Sequence, residues 1–506
     1  MMQQMTLSST QGKLVLAATI LASGMAFLDG TVVNIAVPVI QSKLHASIGG
    51  IQWLINSYTL MLAALILISG SLGDRFGRKR IFVLGIGLFI LSSFLCTIAH
   101  SINQLIAFRT LQGIGGAMMI PGSLSIINAS FADNVHGKVI GLWSGFAGGV
   151  AAVGPFIGGW LVQTFGWPSI FFINLPIGII ALFLAIKYVP ESKNPHANKL
   201  DLLGTFFIFV SLLGISYGLI QAPEMGWNHP FVIGSLLGGI ACFALFIWTE
   251  MKVKEPLMPL SLFKSPLVTG ANIVTLFLYF ALNGIIFFLV LNLQQLQHYS
   301  PLYAGLGMLP AILIITFLSG PAGSLSDKIG PRLPMIIGPL IVTLGMICLL
   351  FAGKAANYWT TFLPALVLFG LGMALVIAPL TKSALAVDHT LSGAASGVNN
   401  AVSRIAALLA VALLGAIVAS VFSSSLTQSI STSTMAPQEK QQILTQKNNL
   451  GAIDIPTTFS QTKQQETKTH IEDAFLSGYR WAMGIGALLA FVSSVVAFVT
   501  IKNKNN

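Results

Sequence analysis

Three charged residues lie inside long apolar stretches, where their side chains could do chemistry: Asp29, Arg109 and Arg404. Of the fifteen acids, only Asp29 lies well inside such a stretch. An acid within a membrane costs about 2.5–3.5 kcal/mol on insertion scales and usually faces a partner or a watery cavity. Because burial disfavours a charged carboxylate and a nearby cation favours it, Asp29 could bind and release a proton as its surroundings change. The alternative is that Asp29, followed by Gly30, caps a break in its helix.

The two arginines differ in their surroundings. Arg109 opens the stretch RTLQGIGGA, in which Gly113, Gly115 and Gly116 would let neighbouring helices approach closely. It is the best available ion-pair partner for Asp29, although one sequence does not show that the two are adjacent. For each arginine the alternative is a side chain that extends to a lipid headgroup. That alternative is favoured for Arg404, which lies near the start of its apolar stretch.

The residue pattern predicts neither an enzyme nor a bound cofactor or metal. None of the three Gly-Lys pairs is followed by Ser or Thr, as a phosphate-binding loop requires. The eight histidines fall in loops or at segment ends without metal-ligand spacing. The three cysteines lie inside apolar segments, so they indicate neither disulfides nor a metal site. Active transport by this chain would have to use an ion gradient.

The composition predicts an all-α integral membrane protein. Of 506 residues, 55% are hydrophobic and 8% are charged, against roughly 25% charged residues in a soluble domain. A spanning helix needs about 20 mostly apolar residues. Fourteen stretches qualify: 14–38, 51–72, 81–99, 104–129, 138–163, 169–189, 202–221, 231–249, 267–294, 302–325, 333–352, 358–380, 396–421 and 478–501.

The net charge of +11 is placed asymmetrically. Lysines and arginines fall in alternate loops and in the C-terminal tail, whereas the opposite short loops carry only Lys43 and Lys354. This asymmetry predicts that both termini are cytoplasmic. The excess charge orients the chain and implies no nucleic-acid partner.

A ten-residue loop occurs twice, 253 residues apart. GSLGDRFGRK at 70–79 and GSLSDKIGPR at 323–332 share five identical residues. The repeat aligns six helices in each half and leaves two helices inserted between them. We therefore expect two pseudo-symmetric bundles that move against each other, as in many transporters. The predicted units are 1–190, 191–265 and 266–506. The long external loop 422–477 is expected to be disordered or a small surface element with one short helix near 438–447.

Two further groups of residues are candidates for positioning and binding. Helix 5 carries Gly141, Gly145 and Gly149 at four-residue spacing, a flat stripe for close packing, and Pro155 predicts a kink. The polar and aromatic residues that could line a substrate cavity are Asn34, Gln52, Trp53, Tyr58, Gln112, Tyr279 and Asn283. For the tryptophan and tyrosines, anchoring at the membrane interface is the alternative.

Four motifs in order resemble the major facilitator superfamily, in its fourteen-helix branch of drug:proton antiporters. They are LDGTVVNIAVP at 28–38, GSLGDRFGRKR at 70–80, RTLQGIGGA at 109–117 and GPFIGG at 154–159. The resemblance implies proton coupling by Asp29 and Arg109. It implies that Asp74 forms a cytoplasmic gate with Arg75 and Arg78 and braces against the start of helix 13. The gate set as a whole is Gly73, Asp74, Arg75, Gly77, Arg78, Asp327, Lys328 and Arg332. The hinge between halves is Gly145, Gly149, Gly154, Pro155, Gly158 and Gly159.

The chain also departs from the family pattern. Val150 stands where the antiporter motif usually has glycine, and Val135-His136 replaces a usual Glu-Arg pair. Helix 13 carries fewer glycines than usual. Relatives that export dications tend to have further acids in later helices, and none occurs here. The departures favour monocationic, neutral or zwitterionic lipophilic substrates.

These residues together predict a proton-coupled exporter of a lipophilic or amphiphilic compound in a bacterial inner membrane. We expect it to work as a monomer, with protons, a small-molecule substrate and the lipid bilayer as its partners. Three alternatives stay open: an exporter of an endogenous lipid, siderophore or metabolite, a downhill facilitator or importer, and a non-transporting receptor or scaffold that uses loop 422–477. The coupling role requires that water reach Asp29 from one face of the bilayer at a time.

Overall fold

The described part of the chain forms fourteen long helices. The structure, a computed structural model, describes residues 5–7, 9–193, 200–388 and 391–501. Among these residues, thirteen helices are long and apolar enough to cross a membrane, and a 33-residue helix covers the remaining predicted span. The fourteen-helix prediction is confirmed. The helices are α1 Thr10–Lys43, α2 Ile48–Phe76, α3 Arg78–Thr97, α4 Ile102–Ser130, α5 Asp133–Phe165, α6 Ser169–Tyr188, α7 Leu202–Met225, α8 Pro230–Lys252, α9 Pro266–Leu296, α10 Pro301–Ile329, α11 Arg332–Leu350, α12 Tyr358–Ala384, α13 Gly393–Thr432 and α14 Gln461–Thr500.

The helices form two bundles with the same internal packing. In the first bundle α1 packs on α5 and α6, α2 on α4, and α3 on α4 and α6. In the second, α9 packs on α13 and α14, α10 on α12, and α11 on α12 and α14. Each pairing recurs eight helices later, so the bundles are pseudo-symmetric, as the repeated loop predicts. Helices α7 and α8 pack on each other, and α7 contacts both α2 and α13.

The repeated loop has the same local structure in both bundles. Gly77 and Gly330 occupy equivalent positions and have φ angles of 117° and 84°. Both lie in a region that non-glycine residues rarely adopt. Lys79 donates to the carbonyl oxygen of Ile186 at 2.7 Å, and Arg332 donates to that of Phe498 at 3.4 Å. Each cation thus binds the last turn of the final helix of its bundle, where helix carbonyls lack partners.

The two ends of the molecule differ in chemistry. The end that carries both repeated loops is here called the basic face. The opposite end is called the capped face, because residues 433–460 cover it. At the capped face, Gln163 accepts from the backbone N–H of Leu302, 3.4 Å away, which joins α5 to α10. In the half of α5 near the basic face, no heavy atom of a neighbouring element among the described residues lies within 4 Å of a Cβ built at Gly141, Gly145 or Gly149. The bundles are therefore closed at the capped face and parted between α5 and α10 at the basic face.

The cap is more ordered than loop 422–477 is expected to be. Helix α13 continues to Thr432 and α14 begins at Gln461, because apolar residues such as Leu426 and Ile430 recur on one face and are fully buried. The predicted short helix is confirmed at Pro437–Leu444. Of the two expectations for this loop, the small surface element is therefore the one observed.

The cap ties the two bundles together. Gln41 at the end of α1 donates to the carbonyl oxygen of Asn449 at 3.0 Å, and Gln295 of α9 donates to Gln41 at 2.8 Å. Lys463, in the first turn of α14, lies 2.8 Å from both oxygens of the cap residue Glu439 and holds the pKa of that carboxyl group below its usual range. These contacts join α1, α9 and the cap at the closed end.

Candidate functional site

Asp29 and Arg109 form a buried ion pair inside the first bundle. The guanidinium Nη1 of Arg109 donates to Oδ2 of Asp29. Gln112 and Asn174 donate to Oδ1 of Asp29 at 2.8 and 3.0 Å. Ser93 completes the group by accepting from Gln112 at 2.9 Å. One carboxylate therefore collects donors from α4 and α6, and its charged form is fully satisfied.

The ion pair is closed off from solvent in this conformation. Asp29 is 0% exposed and Arg109 is 1% exposed. The guanidinium carbon of Arg109 lies 4.2 Å from the centre of the Tyr58 ring, and the Tyr58 hydroxyl donates to the carbonyl oxygen of Ala26 at 3.1 Å. A cation over an aromatic face gains electrostatic attraction, more so where water is absent. The pair is thus held by charge, hydrogen bonds and an aromatic face together.

Glycines of α4 let the site form. A Cβ at Gly113 would collide with the backbone of Tyr58, 3.1 Å from its Cα, and one at Gly115 would lie 2.9 Å from the backbone N of Phe89. Real Cβ contacts are not that short, so larger residues would push α4 away from α2 and α3. The close approach of α4 brings Arg109 and Gln112 within reach of α1.

Asp29 does not face the space between the bundles. Its side chain points into the first bundle, whereas the next residue, Gly30, is exposed with no heavy atom near its Cβ position. Phe27 and Asn34 on the same side of α1 are half-buried. The expectation that water reaches Asp29 from one face is not met in this conformation. The reason is helix geometry, since successive residues of an α-helix point about 100° apart. Gly30 therefore faces the space between the bundles while Asp29 faces into the first bundle.

Two residues of the site are not predicted by the sequence analysis. Ser93 lies in α3 and Asn174 near the start of α6, each fully buried. Asn174 is an amide inside the apolar run SIFFINLPIG, a signal that could have singled it out. A lone serine in a membrane helix carries no comparable signal, because it can bond to its own backbone.

The candidate cavity residues separate into two groups. Asn34, Tyr279 and Asn283 are half-buried, and Asn34 and Asn283 each donate to the carbonyl four residues earlier, at 3.1 and 2.8 Å.

The structure places the other four cavity candidates, Gln52, Trp53, Tyr58 and Gln112, elsewhere. Gln52 is fully buried and donates to the carbonyl oxygen of Val411 at 2.7 Å, joining α2 to α13. Trp53 packs against α7, Tyr58 stacks on Arg109, and Gln112 belongs to the ion-pair site.

Arg404 does not extend to a headgroup, and that expectation is wrong. It lies eleven residues into α13, about 16 Å from the first residue of the helix. Its guanidinium carbon lies 5.7 Å from the centre of the Phe27 ring in α1. Packing across the boundary between bundles holds the side chain against α1.

The gate residues lie at the basic face. Arg78 donates to Asp74 at 2.7 Å, and the backbone N–H of Arg78 donates to the carbonyl oxygen of Ser192 at 2.9 Å.

In the second bundle Asp327 pairs with Lys382 at the end of α12. Arg75 and Lys328 are exposed, and Gly73 lies at van der Waals distance from Arg78. Among the described residues, the hydrogen bonds and ion pairs of Asp74 include Arg78 but no residue of α13, so the expected brace against the start of helix 13 is not formed in this conformation.

The hinge glycines divide between Gly149 and Gly154. A Cβ at Gly159 would collide with the carbonyl oxygen of Pro301, and one at Gly158 would lie 3.1 Å from Cα of Val32. A Cβ at Gly154 would collide with Thr31. The structure therefore brings Gly154, Pro155, Gly158 and Gly159 against α1 and α10. In the part of the chain that the structure describes, no heavy atom of another helix lies within 4 Å of a Cβ built at Gly145 or Gly149.

Two pseudo-symmetric bundles of apolar helices, parted at one end, define a multi-pass membrane transporter. The sequence profile of the Major Facilitator Superfamily matches residues 19–204 and 200–411. The chain belongs to the major facilitator superfamily, and it is a transporter rather than an enzyme.

Named relatives and solved structures agree with this assignment. The chain is 36% identical over 392 residues to the multidrug resistance protein Stp of Mycobacterium tuberculosis, covering 77% of this chain and 72% of that protein. It is 34% identical over 362 residues to the riboflavin transporter RibZ of Clostridioides difficile, covering 72% and 78%. A bacterial homologue of the human lysosomal transporter Spinster, solved inward-facing and unoccupied, shares the fold with a TM-score of 0.68, 18% identity and 97% coverage of both chains.

Proposed function

We propose that the protein is a proton-coupled antiporter that exports a lipophilic or amphiphilic small molecule by alternating access. The observation that carries the proposal is the buried ion pair between Asp29 of α1 and Arg109 of α4. The opposite side of α1 borders the space between the bundles. The likeness to a multidrug resistance protein supports export of drug-like compounds. The likeness to a riboflavin transporter supports the runner-up, which is transport of an endogenous metabolite.

The coupling step would act through helix α1. Protonation of Asp29 removes the charge that holds Arg109, while the hydrogen bonds from Gln112 and Asn174 weaken because their acceptor is neutral. A buried cation without its partner is costly, so the protonated state favours rearrangement of α4 and α6 around α1. Phe27 and Asn34 on the same helix border the space between the bundles, where substrate would bind. Movement of α1 would therefore link protonation of Asp29 to substrate binding. Such linkage is reciprocal, so substrate changes proton affinity as much as protons change substrate affinity.

We propose that the basic face is cytoplasmic and that this conformation is inward-facing. The placement of lysines and arginines supports both termini on the cytoplasmic side of a bacterial inner membrane. The moving units would be residues 1–190 and 266–506, with 191–265 as the inserted pair, and a monomer contains the complete site. Asp29 would exchange protons in another conformation, in which rearrangement of α4 and α6 opens its side of α1 to water.

The gate predicts a measurable shift of population. In the state in which the basic face is closed, Asp74 would contact the start of α13. In the conformation described here, Asp74 accepts a hydrogen bond from Arg78 instead. Asp74→Ala is therefore expected to increase the inward-open fraction. Labelling of a cysteine at Asn400, which is exposed in this conformation, should rise, and labelling at Val32, which is buried under Gly158, should fall. Unchanged labelling at both positions would count against the gate. Asp454→Asn, an exposed acid in the cap, serves as the matched control.

Transport by purified protein in proteoliposomes tests the proposed function. A panel of lipophilic dyes and riboflavin is presented with and without an imposed pH gradient. We expect accumulation of a dye that follows the size and direction of the gradient. Transport that ignores the gradient would indicate a downhill facilitator, and gradient-driven transport of riboflavin alone would favour the metabolite alternative. No transport of any probe would favour the receptor alternative.

A further inference from the structure

Arg404 lies on a polar side of α13 that borders the space between the bundles. Ser396, Asn400 and Ser403 recur with it at spacings of three and four residues, which places all four on one side of the helix. Asn400 is exposed and the other three are half-buried. Helix α13 packs against α2 on one flank and α9 on the other. Exposure on this side is therefore exposure to the opening between the bundles.

Among the described residues, the charge of Arg404 has no carboxylate partner. None of the ion pairs among the described residues includes it, and its buried Nε has no hydrogen-bond partner. Its close ring contact is with Phe27 at 5.7 Å. A partly buried cation without a carboxylate costs free energy unless a ligand or water offsets that cost. The guanidinium is also a fork of five donors, suited to a carboxylate or phosphate.

The charges around Arg404 leave this side of the space between the bundles with a net positive charge. Asp29 is the one acid inside the bundles, and Arg109 already neutralises it. The remaining acids lie in loops, near helix ends or in the first part of α14 beside the cap. Tyr58 stacks on Arg109 and lies near enough to Arg404 to experience its charge as well. A bound cation would meet an unbalanced positive charge here, whereas a bound anion would balance it.

We propose, on the basis of the export function above, that Arg404 binds an acidic group of the substrate. The substrate class is an amphiphile in which a carboxylate or similar anion is attached to an aromatic or apolar body. The anion would sit on the Arg404 guanidinium, and the body would pack against Phe27 and Tyr279. This assignment disfavours the monocationic substrates that the sequence leaves open and adds anionic ones to the neutral and zwitterionic classes.

Binding of three matched probes tests the assignment. Pyrenebutanoate is anionic, its methyl ester is neutral and pyrenebutylamine is cationic, while the pyrene body is shared. Their dissociation constants are measured by equilibrium dialysis with the purified chain in a non-ionic detergent. We expect the wild type to bind the anion most tightly. Arg404→Gln should weaken that binding roughly 10- to 100-fold, the value of a charge-assisted hydrogen bond, and leave the other two probes unchanged.

Two further variants make the result specific. Arg404→Lys keeps the charge but loses the fork, so it should retain part of the preference for the anion. Arg480→Gln removes an exposed arginine on α14 and should change nothing. An equal loss of all three probes in a folded Arg404→Gln protein would show a structural role and overturn the proposal. The absence of any preference for the anion in the wild type would overturn it too.

A lipid headgroup offers the same chemistry as the acidic substrate. In nanodiscs, displacement of pyrenebutanoate from the wild type by phosphatidylglycerol but not by phosphatidylcholine, together with loss of co-purified anionic lipid from Arg404→Gln, would assign the site to lipid and overturn the proposal. The detergent assay needs neither a gradient nor a membrane. Failure of proton-driven export would therefore leave its result intact, and the two proposals can fail separately.

Discussion

Replacing Asp29 by asparagine is expected to abolish accumulation driven by a pH gradient and to lower the free energy of unfolding by about 3–5 kcal/mol. Asparagine cannot bind and release a proton, and it leaves Arg109 as a buried cation without a counter-charge. Gln112 and Asn174 would lose their charged acceptor in the same step. Thermal unfolding in detergent measures the stability, and the proteoliposome assay measures the accumulation.

A second variant separates lost coupling from lost folding. Asp29→Asn combined with Arg109→Gln removes both charges, so most of the lost stability should return. Gradient-driven accumulation should remain absent, because the proton-binding group is gone. Should the double variant keep normal gradient-driven transport, the coupling assignment would be wrong. Asp454→Asn is the matched control for the loss of an acid outside the site.

Substitutions at two glycines of α5 are expected to shift the conformational equilibrium in opposite directions. Gly159→Val places a side chain against Pro301 and within 2.9 Å of Cα of Leu302, at the closed end. Overpacking of this kind costs about 1–3 kcal/mol, which is roughly 5- to 150-fold in the ratio of the two conformations. Gly159→Val should therefore disfavour the conformation described here.

Gly145→Val is the counterpart at the open end. No heavy atom of another helix lies within 4 Å of its Cβ position among the described residues, so valine fits this conformation and obstructs closure of α5 on α10. Both variants should lose transport. With cysteine reporters at Val32 and Asn400, Gly159→Val should increase labelling at Val32, and Gly145→Val should increase labelling at Asn400. If both variants shifted labelling equally and in the same direction, the assignment of Gly159 to the closed end and Gly145 to the open end would be wrong.

The sequence predicts the architecture because membrane helices leave strong signals. Long apolar runs fix the fourteen helices, and the loop repeated at 70–79 and 323–332 fixes the two equivalent bundles. The same motifs single out Asp29 and Arg109, since charges are rare in apolar stretches. The helix assignments depend on composition and spacing alone, and both are visible in a single chain.

The direction of side chains is not predictable in the same way. Helix α1 is apolar on all sides, so no amphipathic pattern tells whether Asp29 or Gly30 faces the cavity. The partners of Asp29 come from two other helices, α4 and α6, and Arg404 lies over a ring 377 residues earlier in the chain. Such contacts depend on tertiary packing. The ends of α13 and α14 next to the cap are missed for a related reason. Both helices extend beyond their apolar stretches, 396–421 and 478–501, on amphipathic segments.

Proton movement driven by substrate tests the coupling most directly. Proteoliposomes contain wild-type protein and a trapped pH indicator, with equal pH on both sides and an imposed gradient of a transported probe. If the protein exchanges substrate for protons through Asp29, flow of the probe down its gradient will move protons in the opposite direction. The Asp29→Asn, Arg109→Gln double variant will not move them. Probe flux through the wild type without any change in internal pH would contradict the account.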